Sequence, residues 1–478
     1  MSEVLPHSLH FVGIGGIGMS GLAQMARSLG HHVSGSDRAL HAPENQAVFQ
    51  ALKAQGIELY DQDGSRFADG NPPPEALVYS TAIEEGNPDF AAGAGIPRLH
   101  RSAAMGAAVG QLKAAHTVAV TGTCGKTSVS AWLAESLAFL KQDPGVLSGG
   151  LINVFRSEVN AGNYVKGNGR YFVLEADESD KSLVNYSADS AMILNIGTDH
   201  YPKEELARVF GTFLSSIRDF AVIEEEAYQA ILEHYGPLPS SLKIHLFSLN
   251  QNSSAVHLAE YSSTPAGSFA RFSTSSRKVR LPGPGIHQAA NALAIFVELL
   301  ALGFSEEEAC AAVESFHGVW RRFDPAGKND CGVQFFDDYA HNVEKIISCL
   351  RAGREISSGK VIAFFQPHGY GPLGFMREEL FRALEQELLD KELFAFLPVY
   401  YAGGTSSFKP SSDEVVDGYR AEGNKHYFSM KDREDALHFI CQNTEPGDVV
   451  LIMGARDNSL SSWAKQLAVE SCCGKELA

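Results

Sequence analysis

Short apolar runs alternate with helix-spaced stretches along most of the chain. LHFVGIGG (9–16) reads as a strand running into a glycine turn, and MSGLAQMARSLG (19–30) as a helix stopped by Gly30. HVSGSD (32–37) is a second strand, with further strands expected in ALVYSTAI (76–83) and IPRLHR (96–101). The pattern restarts at HTVAVTGTCGKTSVSAWLAESLAFL (116–140), again strand, glycine loop and helix, followed by strands at YFVLEAD (171–177) and SAMILNIG (190–197). Residues 234–282 are Ser- and Pro-rich, and SLKIHLFSL (241–249) suggests antiparallel strands or irregular excursions. QAANALAIFVELLALG (288–303) is a helix with Gly303 as its stop. A third restart gives VQFFDDYA, KVIAFFQPH, ELFAFLPVY and DVVLIMGA. Alternation of this kind builds parallel α/β sheets, so the fold class is α/β with three tandem domains. The expected boundaries are 1–113, 114–324 and 325–478.

Composition narrows the function. The 478 residues carry 39 Lys plus Arg against 57 Asp plus Glu, a net charge of −18, which disfavours nonspecific binding to nucleic acid or anionic membranes. No apolar run reaches the length of a membrane span, and the N-terminus lacks signal-peptide character. Seven cysteines (124, 310, 331, 349, 441, 472 and 473) are scattered without a CxxC pair. That usage fits neither a disulfide framework nor a thiolate zinc site, and it points to a reducing cytoplasm.

Candidate chemistry lies at the strand ends. Gly13, Gly15 and Gly18 form GxGxxG between a strand and a helix, with Asp37 nineteen residues beyond Gly18. Gly15, Gly16, Ile17 and Gly18 would bring backbone amides to a diphosphate, and Asp37 would accept from a ribose hydroxyl. Taken alone, the motif fits NAD, another diphosphate-containing nucleotide, or a tight turn with no ligand. TGTCGKTS (121–128) is more specific. The position five residues before Gly125 is Val120, so the strict P-loop pattern fails, but a shorter loop of Gly122, Thr123, Cys124, Gly125, Lys126, Thr127 and Ser128 remains. Its amides and Lys126 would hold phosphates and the Thr127 hydroxyl would reach Mg²⁺. Glu175, Asp177, Glu178 and Asp180 end one neighbouring strand, and Asp199 and His200 end another, where a nucleotide-bound Mg²⁺ takes oxygen ligands. The third region offers Asp337, Asp338, Tyr339, His341 and Asn342, then His368 and Tyr370, then Arg456 and Asp457, each group after an apolar strand.

The assembly resembles the Mur ligases of peptidoglycan synthesis, over about residues 9–460. The landmarks are HFVGIGGIGMSGLA, VSGSD, STAI, TGTCGKTS, GRYFVLEADESD, NIGTDH, LPGPGIH with Asn291, GVWRRFD and DDYAH, in family order and spacing. The resemblance implies a Rossmann-like UDP-binding domain, a P-loop-type central ATP-binding domain and a Rossmann-like C-terminal domain. It implies ATP and Mg²⁺ as cofactors, and ligation of UDP-N-acetylmuramate to an amino acid through an acyl phosphate. Gly15, Gly16, Ile17, Gly18 and Asp37, with Ser80 and Thr81, would then serve the UDP part, which replaces NAD at GxGxxG. Thr127, Glu175 and His200 would bind metal. Lys126, Glu175, His200, Arg322 and His341 would be catalytic, and Asn291, Arg322 and Asp338 would face the nucleotide. His368 and Arg456 would hold substrate. Residues from three domains meeting at one ATP imply domain closure.

Departures locate the open question. RVFGTFLSS (208–216) lacks the lysine that other family branches carbamylate, which favours the L-alanine-adding branch. Cys124 stands where that branch usually has His, and Gln288 alters the adenine-side pattern. The family's DDYAHHP reads DDYAHN, its FQPHRYTR reads FQPHGYGP, and GAGD reads GARD. Loss of an arginine removes the natural partner of an α-carboxylate, and Arg456 would restore the charge from another strand. L-alanine is the favoured acceptor. A different amino acid or a preformed peptide, an inactive nucleotide-binding relative and an NAD-dependent oxidoreductase are the alternatives.

Overall fold

The computed structural model describes residues 4–68, 70–112, 116–178, 183, 188–197, 201–401, 409–420 and 424–471. Three sheets follow one another along the chain. The first has five parallel strands, ordered Glu58–Asp61, His32–Asp37, Ser8–Val12, Ala76–Tyr79 and Arg98–His100. The second has ten strands. At its centre Ser190–Ile193, His116–Thr121 and Tyr171–Glu175 run parallel, which sets the two candidate carboxylate strands on either side of the glycine-loop strand. In the third sheet Asp324–Lys328 pairs antiparallel with Gln334–Asp338, and Val449–Gly454, Val361–Gln366, Leu393–Phe396 and Tyr427–Ser429 continue in parallel.

The chain divides into two compact units. Met1–Tyr261, Phe269–Pro282 and His287–Trp320 form one, and Ser262–Ser268, Gly283–Ile286 and Arg321–Ala478 form the other. The first unit contains the first sheet and most of the second, and one buried apolar cluster runs through both, from Leu9 and Phe11 to Phe172 and Leu174. Parallel strands buried on both faces require near-continuous apolar runs, and His116–Thr121 and Val361–Gln366 are buried at every position. The expected first boundary, between 113 and 114, lies outside the described residues, as do Cys472 and Cys473. The other five cysteines are free thiols.

One element departs from expectation. Lys243–Ser248 is not an antiparallel excursion: it pairs in parallel with Phe220–Glu224 and widens the central sheet. The strand is exposed to half-exposed from Lys243 to Leu246 and buried only at Phe247 and Ser248, so it lacks the continuous apolar run of a strand buried on both faces. The helix Ile286–Ala301 forms as expected, and Gly303 follows it in the left-handed region at φ +96°.

That helix carries a carboxyl group in the core. Glu298 is 0% exposed, and Ser190 Oγ donates to its Oε1 at 3.1 Å. Burial pushes its pKa up to about 8, from an ordinary 4.5. A folded-state pKa above the unfolded value means that the native protein holds a proton that the unfolded chain releases. Its stabilising contribution is present below pH 4.5 and is lost as pH rises toward 8, at up to about 1.4 kcal/mol per pH unit. Glu298→Gln keeps the acceptor for Ser190 and removes the ionisation. Its Tm is expected to exceed that of the wild type at pH 8 and to converge with it near pH 5, whereas a lower Tm at pH 8 contradicts this account.

Candidate active site

The donor-side loop begins where Ser8–Val12 ends. Gly13 N and Ile14 N donate to Ser36 O at 2.8 and 3.0 Å, which ties the turn to the next strand. Gly15 N then donates to Asp37 Oδ2 at 2.8 Å, while Ala39 N occupies Asp37 Oδ1 at 2.8 Å. Asp37 thus braces the loop, a role the ribose reading had not anticipated. Gly15 has no room for a side chain, because an added Cβ would lie 2.7 Å from the Phe49 ring and 2.9 Å from Asp37 Oδ2. Gly16 is the N-cap of the helix Ile17–Ser28, and a Cβ at Gly18 would come within 2.6 Å of the Arg101 guanidinium. A helix N-terminus with a guanidinium beside it favours an anion. Arg101 was not singled out from the sequence; it opens the helix Arg101–Gly110 that follows the strand Arg98–His100. Ser80 is half-buried and Thr81 exposed, and Ile83 of the same loop packs against Gly13.

The second loop leaves the buried strand His116–Thr121. Gly122 and Gly125 take φ +136° and +89°, and Gly125 faces Asn291 Oδ1, which would lie 2.8 Å from an added Cβ. Asn291, expected to face the adenine of the nucleotide, lies beside this loop. Thr123 Oγ1 accepts from Gly197 N at 2.7 Å. Cys124 N donates to Asn195 Oδ1 and Asn195 Nδ2 returns a bond to Cys124 O, both at 2.9 Å. Asn195 escaped the sequence reading, which looked past it to Asp199 and His200. An asparagine closing a buried strand, able to donate and accept at once, was the available signal.

Lys126 opens the helix Lys126–Phe139, with Ser128 half-exposed in its first turn. Lys126 Nζ donates to Gly122 O at 2.9 Å and pairs with Glu178 at 2.7 Å and Asp177 at 3.7 Å. Burial lowers its pKa, but the Glu178 and Asp177 carboxylates outweigh that and hold it above the ordinary value. Thr127 Oγ1 donates to Glu175 Oε1 at 2.8 Å, and Gly149 N to Glu175 Oε2 at 2.5 Å. Gly149 and Gly150 are further residues that sequence reasoning missed. A Cβ on Gly149 would fall 2.6 Å from Glu175, and one on Gly150 2.6 Å from Thr127. A hydroxyl and a carboxylate held together at a P-loop helix are hard oxygen donors of the kind Mg²⁺ takes alongside phosphate and water. Asp180, Asp199 and His200 lie outside the described residues. Among the described residues no group of three His, Cys, Asp or Glu is placed to hold a metal.

The second unit assembles its candidates at adjacent strand ends. Asp338 accepts from Phe323 N and Ala340 N, both at 2.7 Å. Arg321, 1% exposed, binds Asp337 at 3.1 Å, Asp457 O at 2.9 Å and Gly454 O at 2.6 Å. The adjacent Arg322 lies over the Tyr339 ring at 5.2 Å. Arg321 lies over the same ring at 5.4 Å, so of the RR pair it is the buried bracing bonds that set Arg321 apart, a distinction the sequence does not carry. His341 meets His368 edge to face at 5.5 Å, with Nδ1 at 2.9 Å from Tyr339 O. Burial, with Lys345 adding repulsion, pushes His341 down to about 4, and burial with Arg456 nearby lowers His368. Both shifts favour the neutral ring. Arg456 is exposed and adopts φ +65°, a left-handed conformation costly for a non-glycine residue.

The chain matches the Mur ligase family catalytic domain over residues 8–112, the Mur ligase middle domain over 120–298 and the Mur ligase glutamate ligase domain over 321–456. It is 32% identical over 476 residues to a UDP-N-acetylmuramate–L-alanine ligase of Ruegeria pomeroyi, covering 96% of each chain. It is 31% identical over 486 residues to the ligase of the same name from Agrobacterium fabrum, covering 97% of this chain and 96% of that one. Among solved structures it is similar to the UDP-N-acetylmuramate–alanine ligase of Thermotoga maritima, with a TM-score of 0.76, 26% identity, and 96% and 98% of the two chains covered.

The Asn195 brace is directly testable. Asn195→Ala removes both bonds to the Cys124 peptide, at about 1–3 kcal/mol for a peptide left unpaired. ADP affinity measured by calorimetry is expected to fall at least tenfold with the fold retained. Unchanged affinity would show that the loop holds its shape without Asn195.

Proposed function

The chain belongs to the Mur ligase family, and from that premise we propose that it is an ATP-dependent ligase joining UDP-N-acetylmuramate to L-alanine. The observation that carries this reading is the presence, in one compact unit, of two different anion-binding turns. One is the Gly15–Gly18 loop braced by Asp37, suited to a diphosphate, and the other is the Lys126 loop with Thr127 and Glu175, suited to a nucleoside triphosphate. A nicotinamide-dependent oxidoreductase has no use for the second.

In this reading the lactoyl carboxylate of the donor attacks the γ-phosphorus of ATP, the bond to the bridging oxygen breaks, and ADP leaves. The amine of the acceptor then attacks the acyl carbon of the resulting acyl phosphate. Inorganic phosphate departs, the amine loses a proton, and an amide remains. The reaction asks the protein mainly for position and charge. Lys126 and the amides of its loop that Asn195 does not occupy hold the phosphates, and the electrostatic hold that Glu178 and Asp177 exert on Lys126 keeps it cationic. Thr127 and Glu175 are the described residues that would hold Mg²⁺, with His200 as a further candidate. When bound, that ion neutralises charge developing on the phosphate oxygens. Gly15, Gly16, Ile17, Gly18 and Asp37, with Ser80 and Thr81, serve the donor's UDP part, and Asn291 serves the adenine.

Within the second unit, Arg322 and Asp338 serve the nucleotide, and His341, His368 and Arg456 the acceptor. Two neutral imidazoles beside an exposed guanidinium suit an incoming α-carboxylate, because they offer hydrogen bonds without a competing negative charge. Arg456 takes this part because Gly369 and Pro372 stand where the family's FQPHRYTR has arginine. The domain limits 1–113, 114–324 and 325–478 are part of the same proposal.

Phosphate release from ATP and Mg²⁺ with UDP-N-acetylmuramate, assayed with each amino acid and with the L-alanine-initiated recycling tripeptide, tests it. Release stimulated by L-alanine and reduced at least tenfold in kcat/KM for L-alanine by Arg456→Ala is expected. Stimulation by the tripeptide alone would move the chain to the recycling branch, and no donor-dependent release with any acceptor would end the enzyme reading.

A further inference from the structure

One residue links the two anion-binding turns. Asn163 is 0% exposed and lies just before the short edge strand Tyr164–Val165 of the central sheet. Its Nδ2 donates to Ile17 O at 2.7 Å and to Ser20 Oγ at 2.9 Å, and its Oδ1 accepts from Gln24 Nε2 at 2.8 Å. Ile17 is the first residue of the helix that follows Gly15 and Gly16, so the side chain grips the start of the donor-side helix. The backbone of Asn163 faces the other turn. Its carbonyl accepts from Ser148 N at 2.9 Å, and Ser148 Oγ lies 3.4 Å from Glu175 Oε2, the oxygen that Gly149 N also holds.

The packing around Asn163 has the same purpose. Ser20, Gly21, Gln24 and Ser28 lie on one face of the helix by their spacing, and that face is small and polar where an α/β helix ordinarily buries aliphatic side chains. Gly21 lets the helix approach the strand Gly145–Leu147, because an added Cβ would sit 2.7 Å from Leu147 Cδ1 and 3.3 Å from Asn163 Nδ2. Gln55 extends the network, donating to Gln24 Oε1 at 2.8 Å and to Val159 O at 2.9 Å. At the far end of the helix Ser28 bonds the Tyr164 hydroxyl at 2.5 Å. Apolar packing would have bound the helix with less directional definition. A buried asparagine with both amide hydrogens and its oxygen engaged fixes one register.

We propose that Asn163 is a positioning residue for ligation, holding the donor-diphosphate loop in register with the Thr127–Glu175 phosphate site. The inference rests on the functional reading above, and it adds a residue that touches neither substrate. A shift of about 1 Å between reacting groups can cost about a hundredfold in rate without weakening either ligand. The loss of Asn163 therefore appears in kcat and leaves affinity alone.

The test compares Asn163→Ala, Gly21→Ala and Tyr164→Phe in the full-length enzyme. Donor and ATP affinities are measured by calorimetry, and kcat is normalised to the folded fraction. Asn163→Ala removes the grip, and Gly21→Ala wedges the helix from Leu147 without deleting any polar partner. Tyr164→Phe releases only the distal end. Both of the first two variants are expected to lose at least tenfold in kcat at saturating substrates, with donor and ATP dissociation constants within threefold of wild type. Tyr164→Phe is expected to lower Tm while keeping kcat. If Asn163→Ala does not fold, Gly21→Ala decides. Unchanged kcat per folded molecule in a wild-type-active background overturns the inference alone, as does a rise in donor dissociation constant that accounts for the whole defect. Absence of donor-dependent turnover in the wild type overturns the functional reading, and the inference falls with it.

Discussion

A parallel strand that ends in a ligand-binding turn must keep some of its backbone amides for the ligand, so something other than the sheet has to hold the rest of the turn. In all three sheets a polar side chain at a strand end contributes to this. Asp37 binds the amides of Gly15 and Ala39, Asn195 pairs with both sides of the Cys124 peptide, and Asp338 binds the amides of Phe323 and Ala340. Each sits at or just beyond the end of a strand, where sheet pairing stops and unpaired peptide groups would otherwise require water. The candidate chemistry depends on these braces, since a turn that collapsed onto its own carbonyls would have no amides left to offer phosphate.

The same constraint explains which residues the sequence revealed. Glycines at 13, 15, 122 and 125, Lys126, Thr127 and Glu175 were legible because their types are dictated by local geometry and by the ligand. The α/β alternation and the helix stops at Gly30 and Gly303 were legible for the same local reason. Asn195, Gly149, Arg101 and Asn163 were not, because their partners lie far off in sequence, and nothing local distinguishes a bracing amide from a solvated one. Asp37 shows the intermediate case: its position was found, but its two carboxylate oxygens hold Gly15 and Ala39. The parallel pairing of Lys243–Ser248 was hidden because a half-exposed parallel strand carries the alternation of an antiparallel one.

The second unit shows how a site can change while its frame stays. Arg321 is buried and knits Asp337, Gly454 and Asp457 together, which fixes the ends of neighbouring strands. On that frame the exposed positions differ from the family pattern, with glycines at 369 and 371 and an arginine held at positive φ at 456. Backbone strain at an exposed cation is uneconomical unless its position matters, and Arg456 lies close enough to His368 to depress its protonation. The way the acceptor is held, rather than its identity, is accordingly the property in which this chain is expected to differ most from its relatives.

The central claim is that the two anion-binding turns act on one reaction, with the donor carboxylate attacking the nucleotide held by the Lys126 loop. Donor labelled with ¹⁸O in its carboxylate, turned over with ATP and L-alanine, tests that claim through the mass of the released phosphate. One labelled oxygen transferred to each phosphate is the predicted result, because the acyl phosphate carries a carboxylate oxygen to phosphorus. Phosphate released with no label would mean that ATP is hydrolysed by water, and that the two turns do not share a reaction.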